Sequence, residues 1–286
     1  MLCWDDISKP SLRSLSVIDV AAVQKGLKAK IFGKKIYAFE SIDSTNNCAR
    51  TLAGNLTPEG TVIVAEYQTA GRGRLGRLWT ANPGENLTFS VVLRPSVTAA
   101  GLNLLPLLTA VAVTRAVDEF SKLKPECKWP NDLLLGGKKV CGILLESTQQ
   151  ENTLDFVIAG IGINVNQISF PPDIADRATS LRCAAGKTIE REALLRSILE
   201  HFEQLYLAER GDGLRSIPQI WLSHAPMIGK IVDVTSEGSV LTGKALGIAP
   251  DGGLILATDG GDRTVYAGDV TVHSKRQLDH THAPRN

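Results

Sequence analysis

Apolar residues recur along this chain in two rhythms, helical and strand-like. At 104–120, Leu104, Leu105, Leu108, Val111, Ala112, Ala116 and Phe120 share one helical face, which predicts the main core helix. Pro106 is tolerable in its first turn. Further helices are predicted at 17–27, stopped by Gly26, at 45–54, capped by Asp43 or Ser44, at 190–210 and at 214–222. Strand-like runs occupy 36–40, 61–66, 87–93, 126–129, 133–135, 139–146 and 154–161, with Gly136-Gly137 as a tight hairpin turn. Strands that follow one another without helices favour an antiparallel or mixed sheet over a doubly wound one. The runs at 61–66 and 87–93 flank one loop and are expected to be neighbours.

After Pro226 the texture changes. Nine glycines between 229 and 268 punctuate short alternating runs such as 230–235 and 254–258. Five short strands with Gly/Asp turns read as a small β-barrel. The chain thus divides into a polar arm (1–17), a large α+β domain (18–225), a C-terminal barrel (226–273) and a loose polar tail (274–286).

Composition narrows the function. The chain has 286 residues, 43% hydrophobic and 21% charged, with a formal net charge of +1. A general nucleic-acid or anionic-membrane binder would carry more positive charge, so the basic groups must act locally. Five cysteines, Cys3, Cys48, Cys127, Cys141 and Cys183, form no C-x-x-C pair, which argues against a disulfide framework or zinc knuckle and fits a reducing cytoplasm. The histidines show no metal-ligand spacing. No basic leader precedes an apolar core, and no apolar run approaches the roughly 20 residues that span a bilayer. A soluble, unexported protein is expected.

The candidate chemistry begins at Gly71-Arg72-Gly73-Arg74-Leu75-Gly76-Arg77, directly after the strand at 61–66. Glycine admits positive φ and close backbone approach, and arginine offers a charged planar fork that matches phosphate or carboxylate. The loop therefore reads as an anion cradle. Gly71, Gly73 and Gly76 satisfy G-x-G-x-x-G, but no helix opens after them as a dinucleotide site requires; the segment 78–86 is turn-rich. Gly71 and Gly76 have the Walker spacing, yet Arg77 and Leu78 stand where Lys and Ser/Thr would. A minor-groove arm would need flanking basic tracts, and none is present.

Three further segments carry polar groups beside strands. Lys128-Trp129-Pro130-Asn131-Asp132 combines turn chemistry with a cation and a carboxylate that could hold a phosphate, a hydroxyl, an amine or Mg²⁺. In 137–146, alternation puts Lys139 and Cys141 on one face and Lys138 and Val140 on the other, so that one lysine points across the sheet. Gly160-Ile161-Gly162-Ile163-Asn164-Val165-Asn166 ends its strand in glycine and amides, again suited to close ligand approach.

With Ser44-Thr45-Asn46, these segments resemble the biotin-protein ligases. In that family a Gly-Arg-Gly-Arg loop, a Lys-Trp-Pro-Asn-Asp run, a Lys-containing strand ending near Gly and a Gly-Ile-Asn turn recur in this order. The match spans residues 18–272. It implies a catalytic domain like that of class II synthetases, with a mixed, mostly antiparallel sheet, and an SH3-like barrel. It also implies a two-step reaction: biotin and ATP form biotinyl-5′-AMP and pyrophosphate, and a lysine of a biotin carboxyl carrier protein then takes the biotinyl group.

By the family pattern, Ser44, Thr45, Asn46, Gln68, Gly71, Arg72, Gly73, Arg74, Lys139 and Gly142 surround biotin. Lys139 and Arg74 are the catalytic pair. Arg74, Arg77, Trp79, Asn86, Lys128, Asn131, Asp132 and Asn164 fall where the family binds ATP, with Asp132 and Asn164 facing Mg²⁺. A carboxylate brought against a polyphosphate is opposed by about 4 kcal/mol per like-charge pair at 4 Å and an effective dielectric of 20. Arg72, Arg74, Arg77, Lys128 and Lys139 are the cations that could offset it. Family members are often homodimers through the catalytic sheet. Many bacterial members carry an N-terminal winged helix-turn-helix; Ser44 stands too early for one, so no specific DNA binding is expected. The rivals are a lipoate-protein ligase, whose Arg-Arg-x-Ser-Gly-Gly-Gly style of loop is absent, and a non-catalytic biotin sensor, which would have no need of Lys128, Asp132 and Lys139.

Overall fold

The structure is a computed structural model that describes residues 17–273 apart from 56, 97–98, 151–152, 212–213 and 237. The expected arm, save Val17, and the expected tail lie outside the described residues. Among the described residues no helix is long and apolar enough to cross a membrane.

Seven strands form one mixed sheet: β1 (Ile36–Ile42), β2 (Val62–Gln68), β3 (Leu87–Leu93), β4 (Glu126–Lys128), β5 (Asp132–Leu135), β6 (Lys138–Gln150) and β7 (Thr153–Ile163). Their spatial order is β1-β2-β3-β7-β6-β5-β4. β1 and β2 are parallel, joined through a helix, α2 below; β2 and β3, which flank the arginine loop, are antiparallel neighbours as expected. The helices are α1 (Val20–Gln24), α2 (Thr45–Gly54), α3 (Ala99–Leu102), α4 (Leu105–Ser121), α5 (Leu181–Ala185), α6 (Arg191–Arg210) and α7 (Ile217–Leu222).

β3 shows how the two faces of the sheet differ. Leu87, Phe89, Val91 and Leu93 point into the main core with Leu105, Leu108 and Val111 of α4 and Leu195 and Leu199 of α6. Each such fully buried side chain contributes on the order of 2 kcal/mol. On the opposite face, Val92 joins Ile63, Ile158, Ala49 and Ala53 beneath α2. Thr88 and Ser90, also buried, alternate with the core positions of β3 and interrupt its apolar run. That polar interruption marks where the sheet stops serving as core.

Local differences from the sequence reading have simple causes. α1 is shorter than 17–27 because Asp19 caps it, accepting from the Ala21 and Ala22 amides, and Lys25 already turns extended. α7 starts at Ile217, since Leu214 adopts φ 64°, outside the helical region. α5 was not foreseen: five residues between the Ser180 cap and Gly186 are too few for a periodic signal.

The expectation for Lys139 and Cys141 is corrected by a bulge. Leu133 pairs with Cys141 but Leu134 pairs with Lys139, so Val140 is an extra residue in β6. Val140 and Cys141 both enter the core, whereas Lys139 reaches Asp132 on the other face. One inserted residue therefore separates two side chains that strict alternation would put together.

The C-terminal unit is a five-stranded antiparallel sheet of β8 (Ile231–Ser236), β9 (Ser239–Ile248), β10 (Leu254–Thr258), β11 (Gly261–Val265) and β12 (Asp269–Val272), ordered β11-β10-β9-β8-β12. Trp129 ties it to the larger unit, its buried indole N–H donating to Gly252 O at 3.0 Å. Edge strand β12 faces the large sheet across an open cleft.

Candidate active site

The cleft encloses about 880 Å³ between the larger sheet, the arginine loop and β12. Its floor is made of glycine. A Cβ on Gly160 would stand 2.2 Å from Asn46 Oδ1, and one on Gly162 would stand 2.3 Å from the Trp79 ring. Gly142 pairs with Gly162 on the neighbouring strand. These positions lower the floor so that other groups can lie directly on the sheet.

One end is a neutral polar network. Ser44 occupies the N-cap of α2, but its hydroxyl makes no capping bond and lines the cleft. Gln68 Oε1 accepts from the Thr45 amide at 2.8 Å and from Thr45 Oγ1 at 3.1 Å. Ser90 donates to Asn46 Oδ1 at 2.6 Å and touches Thr45 Oγ1 at 2.8 Å. Asn46 Nδ2 in turn donates to Glu146 Oε2 at 2.7 Å. The buried Thr88 hydroxyl has no hydrogen-bond partner among the described residues and faces the same space. Such an array of donors and acceptors suits a neutral ligand with urea-like polarity.

The other end is ionic. Lys139 Nζ lies 2.6 Å from Asp132 Oδ1 and 5.8 Å from the centre of the Trp79 ring. Lys128 faces Asp132 across the β4–β5 hairpin. Burial draws the Lys128 ammonium below the usual lysine range, opposed by Asp132 and reinforced by Lys139. Arg74 is likewise lowered by burial, with Asp269 and Asp132 pulling the other way. Positive groups held partly out of water beside too few carboxylates attract an anion.

The loop is ordered by its own backbone. Arg72 and Leu78 form a β-bridge, Gly73 N–H donates to Arg77 O at 2.7 Å, and Trp79 N–H donates to Gly71 O at 3.1 Å. A 3₁₀ turn, Arg74–Gly76, makes the tip, and of the loop's glycines Gly76 alone uses positive φ, at 71°. Gly71 is needed for closeness, because a Cβ there would lie 2.4 Å from Trp79 O. Arg74 Nη1 reaches Asn131 Oδ1 and Gly268 O, each at 3.4 Å, and Arg77 forms an ion pair with Asp269 of β12.

The residues named from sequence largely converge here. Ser44, Thr45, Asn46, Gln68, Arg72, Gly73, Arg74, Arg77, Trp79, Lys128, Asn131, Asp132, Lys139, Gly142 and Asn164 line the cleft. Gly71 supports the loop from behind. Asn86 does not reach the cleft: its amide donates to Gln167 at 2.6 Å and accepts from the Val165 amide at 2.9 Å, which joins two loops below the sheet. Arg72, named both among the residues around biotin and among the cations that could offset phosphate, turns to Glu146 at the polar end, 3.4 Å away.

Sequence reasoning missed Thr88, Ser90, Glu146, Arg177, Lys230 and Asp269. Two polar residues inside the apolar run of β3 were a usable signal. Arg177, Lys230 and Asp269 had none, because they arrive from distant segments. Lys139 accounts for Arg177, since its amide donates to Arg177 O at 2.7 Å and so stitches that loop to β6.

Comparison with known proteins agrees with this geometry. Residues 38–164 match the biotin/lipoate A/B protein ligase family, and residues 227–272 match the biotin protein ligase C terminal domain. The chain is 40% identical over 268 residues to the bifunctional ligase/repressor BirA of Bacillus subtilis, covering 93% of this chain and 81% of that protein. It is 32% identical over 233 residues to a biotin--[acetyl-CoA-carboxylase] ligase of Paracoccus denitrificans, covering 80% of this chain and 96% of that one. A biotin protein ligase from Aquifex aeolicus, solved in complex with biotin and ATP, superposes with a TM-score of 0.73 at 32% identity, over 84% of this chain and 99% of its own. With both domains matched in order and a cleft that joins a neutral polar end to a cationic one, this chain belongs to the biotin protein ligase family.

Proposed function

We propose that the chain is a biotin-protein ligase that couples biotin to ATP and passes the biotinyl group to a lysine of a carboxylase carrier protein. One observation carries the reading: Lys139 stands where the neutral polar end of the cleft meets its cationic end. Biotin has that dual character, a urea-like ring at one end and a carboxylate at the other.

Thr45, Asn46 and Gln68 supply donors and acceptors for the ring, Ser90 holds Thr45 and Asn46 from behind, and Lys139 receives the carboxylate. A carboxylate oxygen attacks the α-phosphorus of ATP, the bond to the β-phosphate oxygen breaks, and pyrophosphate leaves. Lys139, Lys128, Arg74 and Arg77 offset the negative charge that accumulates, each worth on the order of 3 kcal/mol if preorganised. In the second step an acceptor amine attacks the acyl carbon and loses a proton, and AMP departs. Loop residues 71–77 cover the mixed anhydride and limit its hydrolysis.

Mg²⁺ delivered with the nucleotide would neutralise phosphate oxygens. Asp132 and Asn164 offer a carboxylate and an amide oxygen, a donor set that fits a magnesium otherwise held by phosphate and water. Asn164 donates its amide nitrogen to Thr179 O at 3.0 Å, which leaves Oδ1 as its accepting atom.

The acceptor proposal follows the relatives named for acetyl-CoA carboxylase. We propose no sequence-specific DNA binding, because the formal net charge is only +1 and Arg72, Arg74, Arg77, Lys128 and Lys139 gather around the cleft. Exchange of pyrophosphate into ATP, measured with biotin and with lipoate separately, tests the whole reading. Biotin-dependent exchange is expected; exchange driven only by lipoate would select the lipoate reading, and no exchange would reject ligase chemistry.

A further inference from the structure

We propose that Glu146 is a positioning residue that ties the arginine loop to the polar end of the cleft, so that order in the biotin pocket depends on where Arg72 is held. The inference rests on the reading that biotin occupies that end.

Glu146 stands on β6 two residues beyond Leu144, on the cleft face, with its side chain 20% exposed. Its two carboxylate oxygens serve different elements. Oε2 accepts from Asn46 Nδ2 at 2.7 Å. Oε1 meets Arg50 Nη2 of α2 at 2.9 Å and Arg72 Nη2 of the loop at 3.4 Å. The same Arg72 nitrogen donates to Asn47 Oδ1 at 2.6 Å.

The consequence for the pocket runs through Asn46. Its amide is held from both sides, by Glu146 at the nitrogen and by Ser90 at the oxygen, and the oxygen is pressed against Gly160 with no room for a Cβ. Ser90 continues to Thr45, and Thr45 to Gln68. A single chain of polar contacts therefore links a half-exposed loop arginine to the buried groups that would read the ring. Without the carboxylate, Asn46 Nδ2 keeps only its long 3.5 Å contact to Leu144 O, and the Arg50 and Arg72 guanidiniums converge on one point with no counter-charge. The side-chain contacts of Glu146 among the described residues are with Asn46, Arg50 and Arg72 and not with the Lys139–Asp132 pair assigned to the phosphate, so Glu146 acts on binding and loop closure and leaves the chemical step alone.

The test uses the full chain, after its biotin-dependent pyrophosphate exchange has been established. Glu146→Ala is expected to raise KM for biotin about tenfold while kcat of exchange stays within about twofold, the pattern of lost ground-state binding. Trypsin should cut after Arg72, Arg74 or Arg77 faster in the variant, and biotin at the concentration that shields the wild-type loop should no longer shield it. Glu146→Gln keeps an oxygen for Asn46 without the charge for Arg72, so its KM should lie between the two while its loop is cut as fast as in the alanine variant. Unchanged KM and unchanged cleavage in Glu146→Ala would overturn the proposal. So would a joint fall of Tm and kcat in both variants, which is what a purely structural carboxylate predicts. Absence of exchange in the wild type rejects the ligase reading itself, a separate outcome.

Discussion

Lys139 Nζ and Asp132 Oδ1 lie 2.6 Å apart on adjacent strands, on the same face as the glycine floor of the cleft. The pair is legible only through the bulge at Val140, which turns Lys139 away from the core side of β6 and toward its carboxylate. In the free enzyme Asp132 neutralises a lysine that would otherwise face Lys128 and Arg74 alone. On the proposed function an incoming carboxylate and phosphate would take over Lys139, and Asp132 would then be a carboxylate able to hold Mg²⁺.

Lys139→Ala should lower biotin-dependent pyrophosphate exchange by at least about a hundredfold, since it removes a preorganised donor from the developing charge. The fold should survive, because Lys139 is half-exposed and makes no core contact, so Tm measured by calorimetry should change little. Retention of the first step in this variant would refute the role given to Lys139.

Arg74→Gly should loosen the loop at its tip. It deletes the contacts to Asn131 and Gly268 that bridge the cleft, while the β-bridge between Arg72 and Leu78 remains. Adenylate should escape before transfer. The readout is labelling of an added bystander protein by mass spectrometry, expected to rise several-fold at equal ATP consumption.

Gly160→Ala and Gly162→Ala should separate the two ends of the cleft. The first places a methyl 2.2 Å from Asn46 Oδ1 and should raise KM for biotin with little change for ATP. The second places one 2.3 Å from the Trp79 ring and should displace the indole, raising KM for ATP and shifting Trp79 fluorescence. If both variants weaken both substrates equally, the division into a biotin end and a nucleotide end fails.

The Lys128 ammonium is lowered from its ordinary value of 10.5 by burial. Its native proton affinity is below that of the unfolded chain, so the desolvation cost is fully present below the native pKa. That cost disappears as pH rises toward 10.5, and this group makes stability rise with pH across that window. Nucleotide affinity moves in the opposite direction: KM for ATP should climb on the alkaline limb as Lys128 loses its charge. Lys128→Arg should move that limb to higher pH, because a guanidinium stays charged. A limb that does not move in this variant would assign it to another group.

Asp269→Ala removes the partner of Arg77 on β12. Arg77 is 66% exposed, so stability should change by less than about 1 kcal/mol. The measurable effect should be on the loop, as a faster release of adenylate into solution at unchanged Tm. A large fall in Tm with no extra release would mean that the pair serves the packing of the two sheets instead.

Much of this protein is determined by local sequence. The spacing of Leu105, Leu108, Val111 and Ala112 specifies α4, the run from Leu87 to Leu93 specifies β3, and Gly136-Gly137 specifies the turn between β5 and β6, with φ of 57° and 77°. These outcomes depend on neighbours a few positions away, so a linear reading finds them. Gly71 to Arg77 and Lys128 to Asp132 could likewise be read as anion chemistry, because their charges and turns lie side by side in the chain.

Tertiary structure decided which of these groups meet. The bulge at Val140 reversed the side of Cys141 relative to Lys139, through hydrogen-bond register with β5 that alternation cannot encode. Asn86 left the cleft because Gln167 and Val165, far along the chain, consume its amide. Glu146 and Asp269 gained their roles from loop arginines that fold over from 74 and 192 positions away, which no local spacing records. Local order is set by steric and hydrogen-bonding preferences of adjacent residues; a site between two sheets is set by which distant charges share one low-dielectric space.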